Sequence, residues 1–310
     1  MPEENPPARE TLLQNPGTLW ANLSKQTEHA LHCGALHSIP TEYEFVEQNG
    51  IPFLVRIVSN LVRKEDAKKQ QEQKTATSGK EFNPFLPYEK DLFVADISNT
   101  HLCLLNKYNV VDNHLLIVTR AFEAQQTWLN WQDFEAMWAS LAEIDGLAFY
   151  NAGNAAGASQ PHKHLQLVPL PLTPSVQKLP IEPALTDAKF HDSVGILPSF
   201  PFLHAITRLN PNWVKSPSEA GKATLERYHA LLRAVGLLHN CESSYGQSGA
   251  YNLIATREWM LLVPRTQEYF ESIGVNSLGF AGIFLVRDRQ QMKTLKEWGP
   301  ITILKSVAPS

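Results

Sequence analysis

The stretch Tyr150-Asn151-Ala152-Gly153-Asn154-Ala155-Ala156-Gly157-Ala158-Ser159-Gln160-Pro161-His162-Lys163-His164-Leu165-Gln166-Leu167-Val168-Pro169 changes character half-way. Its first part is small residues and glycines, which turn tightly and let backbone N–H groups come close to a ligand. Its second part alternates polar and apolar residues, the period-two pattern of a strand. On such a strand His162, His164 and Gln166 share one face, and Leu165 and Leu167 the other. Two imidazoles and an amide then stand in a row directly after a loop suited to cradling phosphate.

Three readings of that row compete. The histidines can be satisfied polar groups on a half-exposed strand, which leaves the small-residue loop unexplained. They can be zinc or iron ligands, since His-x-His on a strand chelates, but no Cys pair or nearby acidic ligand completes the set. Or one imidazole can be a nucleophile toward phosphorus, with loop amides holding the phosphate oxygens.

The whole chain narrows the setting. At 310 residues it exceeds the usual single domain, so two lobes are expected. A hydrophobic content of 43% with 19% charged residues is that of a globular protein. A net charge of −4 gives no global attraction to nucleic acid or an anionic membrane, so polyphosphate would need a local basic site. Cys33, Cys103 and Cys241 are sparse and odd in number, which suits a reducing cytoplasm rather than a disulfide framework. The N-terminus lacks signal-peptide character and no run of about 18 apolar residues occurs, so a cytoplasmic protein with no membrane span is expected.

Working outward, the spacing predicts a helix over 18–33 with Leu19, Leu23, Ala30 and Leu31 as its apolar positions. Strand, Asn49-Gly50 turn and strand follow over 43–58. The segment from Lys64 to Lys80 is polar and lysine-rich. Strands over 101–105 and 114–119 flank a turn, with Asn113-His114 read as a structural polar pair. Trp131, Phe134, Trp138, Leu141 and Ala142 mark a helix capped by Asn130 and followed by Gly146. Seven prolines between 169 and 201 place the lobe boundary. A strand over 202–209 comes next, then a helix opened by a capping-box pattern at Ser216 and Glu219. The face of that helix is Leu225, Tyr228, Leu232 and Val235. Strands over 251–256 and 259–264 echo 104–119, and a last helix over 287–297 stops at Gly299-Pro300.

The His162-Lys163-His164-Leu165-Gln166 run after Gly157-Ala158-Ser159-Gln160-Pro161 resembles the transferase branch of the histidine-triad superfamily, and within it the ATP adenylyltransferase (diadenosine tetraphosphate phosphorylase) family. Residues 105–108 with 113–119, 251–260 and 276–282 resemble three further stretches of that family in the same order. The resemblance implies an α+β fold: two histidine-triad-like halves in one chain, with an antiparallel sheet flanked by helices. It divides the chain into an N-terminal lobe over 1–170, a Pro-rich connection over 171–200 and a C-terminal lobe over 201–310. The second half lacks His-x-His, so only the first is chemical.

Carried over residue by residue, the resemblance implies His164 as nucleophile, His162 orienting it or assisting the leaving oxygen, and Gln166 donating to phosphate oxygens. Lys64 would contact the polyphosphate, and Asn106 and Lys107 the nucleotide. Asn151, Gly157, Ala158, Ser159 and Gln160 would bind nucleotide and α-phosphate. Asn276, Ser277, Leu278, Ile283 and Arg287 would reach in from the second lobe, although the family tends to carry Met and Lys near the last two.

The implied reaction cleaves diadenosine tetraphosphate with inorganic phosphate to ATP and ADP through an adenylyl-histidine. Its partners are those small molecules, not nucleic acid or membrane. No protein-bound metal is called for, and Mg2+ would enter only with the polyphosphate. The rivals are a hexose-1-phosphate uridylyltransferase, whose core is His-Pro-His, a non-catalytic nucleotide-binding regulator, and a histidine-triad hydrolase with a third His where Gln166 stands.

Overall fold

The computed structural model describes residues 12–58, 83–173, 178–238 and 249–310, so Lys64 and Cys241 lie outside it. Helix α1 (Leu19–Cys33) buries Leu19, Leu23 and Ala30 and ends at Gly34 in the left-handed conformation. Leu31, expected on its apolar face, points to solvent instead. The hairpin β1 (Glu42–Gln48) and β2 (Ile51–Ile57) turns at Asn49 and Gly50, both at positive φ as the Asn-Gly signal requires.

Strands β3 (Phe93–Asp96), β4 (His101–Leu105) and β5 (Leu115–Thr119) lead to α2 (Trp131–Glu143), then β6 (Gly146–Ala152) and β7 (His164–Pro169). The Asn130 side chain accepts from the Asp133 backbone N–H and the Asp133 carboxylate from that of Asn130, a reciprocal cap worth about 1 kcal/mol. Gly146 does not end α2 but opens β6, where a Cβ would meet the Val168 carbonyl at 2.6 Å.

The stretch over 171–200, expected as a Pro-rich connection, contains a short helix, α3 (Glu182–Thr186), with Pro183 in its first turn where a missing N–H costs nothing. It also contains β8 (Lys189–His191) and β9 (Val194–Ile196). After β10 (Ala205–Arg208), α4 (Pro217–Ala234) starts on Pro217, but the Ser216 side chain makes no capping bond. Its backbone (φ −145, ψ 71) departs from the geometry that aims a hydroxyl at the first turn. β11 (Ala250–Ala255), β12 (Trp259–Arg265), β13 (Tyr269–Phe270), β14 (Ile273–Gly274), α5 (Ser277–Phe280) and β15 (Ile283–Val286) follow. Helix α6 (Arg289–Trp298) stops at Gly299, but Pro300 begins an unforeseen further helix, α7 (Pro300–Val307).

One ten-stranded antiparallel sheet, in the order β3-β4-β5-β7-β6-β11-β12-β10-β9-β8, runs through both halves. The α+β class with an antiparallel sheet flanked by helices is therefore the fold observed. α2 and α4 pack together on one face, where the Trp138 indole N–H donates to Thr224 Oγ1 at 2.7 Å. Gly221 lets them close, since a Cβ there would meet the Trp131 carbonyl at 2.7 Å. Strand alternation sends Ala148, Tyr150, Leu165 and Leu167 into that core. Leu147, Phe149 and Val168 point the other way, into a second core shared with β2, β15 and the C-terminal helices. There β15 pairs parallel to β2, so the end of the chain completes a three-stranded sheet begun by its start.

The sheet order corrects the sequence echo. β11 and β12 follow a long helix, as β6 and β7 do, and so match β6–β7 instead of β4–β5. Phe149 pairs with Gln166, and Ala250 with Arg265. The matching dipeptides Tyr150-Asn151 and Tyr251-Asn252 meet at the joint, where Asn151 pairs with Asn252. Continuing these registers puts His164 level with Asn151, and Val263 is level with Asn252.

Candidate active site

A cavity of about 430 Å³ opens on the sheet face opposite α2 and α4, walled by β4, β5, the 157–160 loop, α5 and β15. His164 and Gln166 form part of its floor. His164 is buried, and its Nδ1–H donates to the His162 carbonyl at 2.8 Å. That bond fixes the tautomer and leaves Nε2 with the lone pair. Burial pushes the His164 pKa down to about 4, outweighing the pull of that backbone bond. The ring is neutral at physiological pH, as a nucleophile must be.

His162 is related to this site differently from the simple row on one strand. It precedes β7 and bridges to Ala124. Its Nε2–H donates to the Thr119 carbonyl at 2.8 Å, and its Nδ1 accepts from Asn83 Nδ2 at 2.9 Å. Both nitrogens are engaged and the ring is absent from the cavity wall, so its contact with His164 is through its carbonyl. Phe85 presses on both imidazoles, with ring centroids 5.6 Å from His162 and 5.3 Å from His164.

Gln166 is held by a residue that sequence reasoning set aside as structural. His114 Nε2–H donates to Gln166 Oε1 at 2.9 Å, and Asn106 Nδ2 donates to His114 Nδ1 at 3.2 Å. The Asn106–His114–Gln166 relay takes up the amide oxygen of Gln166, so its N–H2 is the group it can offer a ligand. The signal was present: Leu116 pairs with Gln166, so His114, two residues earlier, is its diagonal neighbour on the same face.

The loop residues are arranged by a second network. Asn151 Oδ1 accepts from Asn252 Nδ2 at 2.8 Å and from the Ser277 N–H at 3.0 Å, which leaves its amide nitrogen for the cavity it lines. Gln125, also missed, ties the strands together: it accepts from the His164 N–H at 2.8 Å and donates to the Asn151 carbonyl at 3.0 Å. Gly157 sits at φ 83, where a Cβ would meet Asn276 Cβ at 3.0 Å.

Asn106, Lys107, Gly157, Ser159, Gln160, Asn276, Leu278, Ile283 and Arg287, carried over as ligand contacts, are brought together on the cavity wall. Lys107 Nζ pairs with Glu89 at 2.6 Å on that wall. Besides His162, two expected binding residues do not line it. Ala158 closes the loop by donating its N–H to the Gly153 carbonyl, and Ser277 is buried, its hydroxyl donating to the Tyr150 carbonyl at 2.9 Å. Lys64 lies outside the described residues.

Residues 9–187 match the model of the Ap4A phosphorylase N-terminal domain, and residues 198–310 that of the ATP adenylyltransferase C-terminal domain. The chain belongs to the Ap4A phosphorylase family. That is the family inferred from the four ordered motifs. Among similar proteins, diadenosine 5',5'''-P1,P4-tetraphosphate phosphorylase 2 of Saccharomyces cerevisiae is 27% identical over 280 residues, 81% of each chain. Protein APA1 of the same yeast is 24% identical over 310 residues, 91% of each. The crystal structure of yeast Ap4A phosphorylase Apa2 in complex with Ap4A superposes with a TM-score of 0.76 at 21% identity, covering 96% of this chain and 98% of that one. The likeness to this structure establishes the family's histidine-triad-like fold here. Among the described residues no helix is long and apolar enough to cross a membrane.

Proposed function

We propose that this adenylyltransferase cleaves diadenosine tetraphosphate by phosphorolysis, with His164 as its nucleophile. Nε2 of neutral His164 attacks an α-phosphorus, the bridging P–O bond breaks, and ATP leaves. Inorganic phosphate then attacks the adenylyl-histidine, releasing ADP and restoring the imidazole. Covalent catalysis here replaces one displacement by two, and the protein's main task is positioning and charge compensation. Gln166 and Asn151 donate amide hydrogens to the α-phosphate, and the 157–160 loop adds backbone donors.

The observation that carries this reading is the His164 Nδ1–H bond to the His162 carbonyl, which commits Nε2 to the cavity as a neutral nucleophile. The His162 ring, held by Thr119 and Asn83, serves as an anchor for that carbonyl. Asn106, Lys107, Ser159, Gln160, Asn276, Leu278, Ile283 and Arg287 contact the nucleotides and phosphates, and Lys64 the distal phosphates. Of the cavity carboxylates Glu89 and Glu268, the first is engaged by Lys107, so a Mg2+ would be held chiefly by the polyphosphate. The division of labour follows the lobes over 1–170 and 201–310 around the connection over 171–200. Free thiols at Cys33 and Cys103 favour a cytoplasmic setting.

Product analysis with and without phosphate tests the reaction, and labelled adenylate retained on denatured protein tests the intermediate. ATP plus ADP should form only with phosphate, and His164→Ala should retain no label. Equal cleavage without phosphate, or an adduct on the His164→Ala protein, would refute the corresponding step.

A further inference from the structure

Away from the cavity, one cluster of metal-ligating side chains stands out among the described residues. His29 and Cys33 are four residues apart on α1 and so share a helix face. The 3-10 turn Lys90–Leu92 brings Asp91 against that face, where Gln26 Nε2 donates to the Asp91 carbonyl at 2.6 Å. His29 Nε2 stands 2.8 Å from Asp91 Oδ1 and 3.9 Å from Cys33 Sγ. All three ligand atoms lie within 4.8 Å of one another.

We propose that His29, Cys33 and Asp91 bind a divalent cation of the zinc class, with the fourth position open to water. An imidazole nitrogen, a thiolate and a carboxylate oxygen are the three donor types zinc takes. Tetrahedral bonds of about 2.0–2.3 Å set ligand-to-ligand edges of roughly 3.4 Å. The His29–Asp91 and His29–Cys33 edges of 2.8 and 3.9 Å bracket that figure and the Cys33–Asp91 edge is no longer than 4.8 Å, so the site closes by side-chain adjustment. Nitrogen and sulfur donors select against magnesium and calcium, which take oxygen. As a mere surface pair, 51% and 59% exposed, His29 and Asp91 would contribute little.

Two ligands are pre-organised by one helix and the third crosses to another segment, so the ion ties α1 to the turn. On binding, neutral His29 coordinates through Nε2 with its proton on Nδ1, and Cys33 releases to water the thiol proton now shared weakly with the Ala30 carbonyl at 3.7 Å. The clip reaches toward the cavity: Glu89, two residues before Asp91, is the partner of Lys107 on its wall.

The test titrates Co2+ into the full, chelator-stripped protein and follows the near-ultraviolet thiolate-to-cobalt band and the visible bands of tetrahedral cobalt. One equivalent should produce both. Cys33→Ser should abolish the thiolate band, and Cys241→Ser should leave it intact. His29→Ala and Asp91→Ala should each weaken binding by at least the roughly tenfold that loss of an outer-shell partner costs. Zn2+ should displace the cobalt and raise the thermal midpoint of wild type but not of His29→Ala. Absence of a thiolate band at excess Co2+, a band that survives Cys33→Ser, or equal affinity in the His29 and Asp91 variants would overturn the proposal.

Discussion

At the residue scale, the electrostatics of His164 make two linked predictions. Its pKa of about 4, depressed by burial from an ordinary 6.5, means the proposed nucleophile stays neutral well into acid. The free-enzyme pH profile should therefore show an acid limb from this group near pH 4, not near 6.5. The stability sign follows from the same shift. The unfolded chain takes up a proton through pH 6.5 that the native state refuses until about 4. Native stability is thus complete above 6.5 and falls between 6.5 and 4, by about 3 kcal/mol in all. Chemical denaturation at pH 7 and 4.5 checks this, with His164→Asn expected to lessen the slope and His162, His204 and His229, also lowered by burial, to supply the rest. The Gln166 amide makes another prediction, since it cannot deprotonate water as an imidazole can. Gln166→His should raise the AMP-to-ADP ratio at fixed phosphate, and an unchanged ratio would show that Gln166 does not exclude water. His114→Phe should lower kcat roughly tenfold by freeing the amide, less than the 10²–10³ for a lost donor in Gln166→Ala. The two losses should not add, because one acts through the other. At this scale the place of His164 in the cavity was legible because a polar residue in an alternating strand has few other uses. The roles of His162 and His114 were not, because they depend on which ring nitrogen meets which carbonyl or amide across strands.

At the element scale, the strand that carries His164 and Gln166 is fastened from its far side. Lys163, between the two histidines, points away from the cavity and is 1% exposed. Its Nζ meets Asp133 Oδ2 at 2.7 Å, Glu123 Oε2 at 3.0 Å and the Trp128 carbonyl at 3.0 Å. Asp133, buried in the first turn of α2, also accepts from His101 Nε2 at 3.0 Å. Burial would push its carboxyl up, but the His101 hydrogen bond and the Lys163 charge outweigh it and hold the pKa down. Removing one partner strands the other charge in the core, so Lys163→Met should cost about 3–5 kcal/mol. Asp133→Asn with Lys163→Met should cost less than the sum, which denaturation of the single and double variants would reveal. Elements with local signals were legible: the Asn49-Gly50 hairpin, the Asn130 cap and the period-3.6 face of α2. Those defined by partners far along the chain were not. β15 is four residues whose identity as a strand depends on β2, more than 200 positions earlier, and Pro300 reads as a stop until a helix is seen to begin there.

At the scale of the whole molecule, two halves meet at one strand pair, and the cavity draws on both. The joint is polar where the site lies. Arg265, in the register position that Gln166 holds in the first half, is buried and donates to Asn252 Oδ1 and to the carbonyls of Val275, Gln267 and Val307. Burial lowers its pKa to about 10, so it remains a cation at physiological pH. By occupying the Asn252 oxygen it dictates that Asn252 presents its nitrogen to Asn151 Oδ1, and Asn151 in turn presents its nitrogen to the cavity. The second half, with Val263 at the level of His164, thus sets the orientation of Asn151, the phosphate donor proposed in the first half. Asn252→Ala should consequently lower kcat as well as stability, the latter by about 1–3 kcal/mol for the stranded donors and acceptors. A double-mutant cycle with Asn151→Ala, run on kcat with folded protein quantified separately, should give a coupling of about 0.5–3 kcal/mol. If Asn252→Ala only destabilises, with kcat per folded molecule unchanged, the second half is a scaffold and Asn151 is oriented from its own side of the joint.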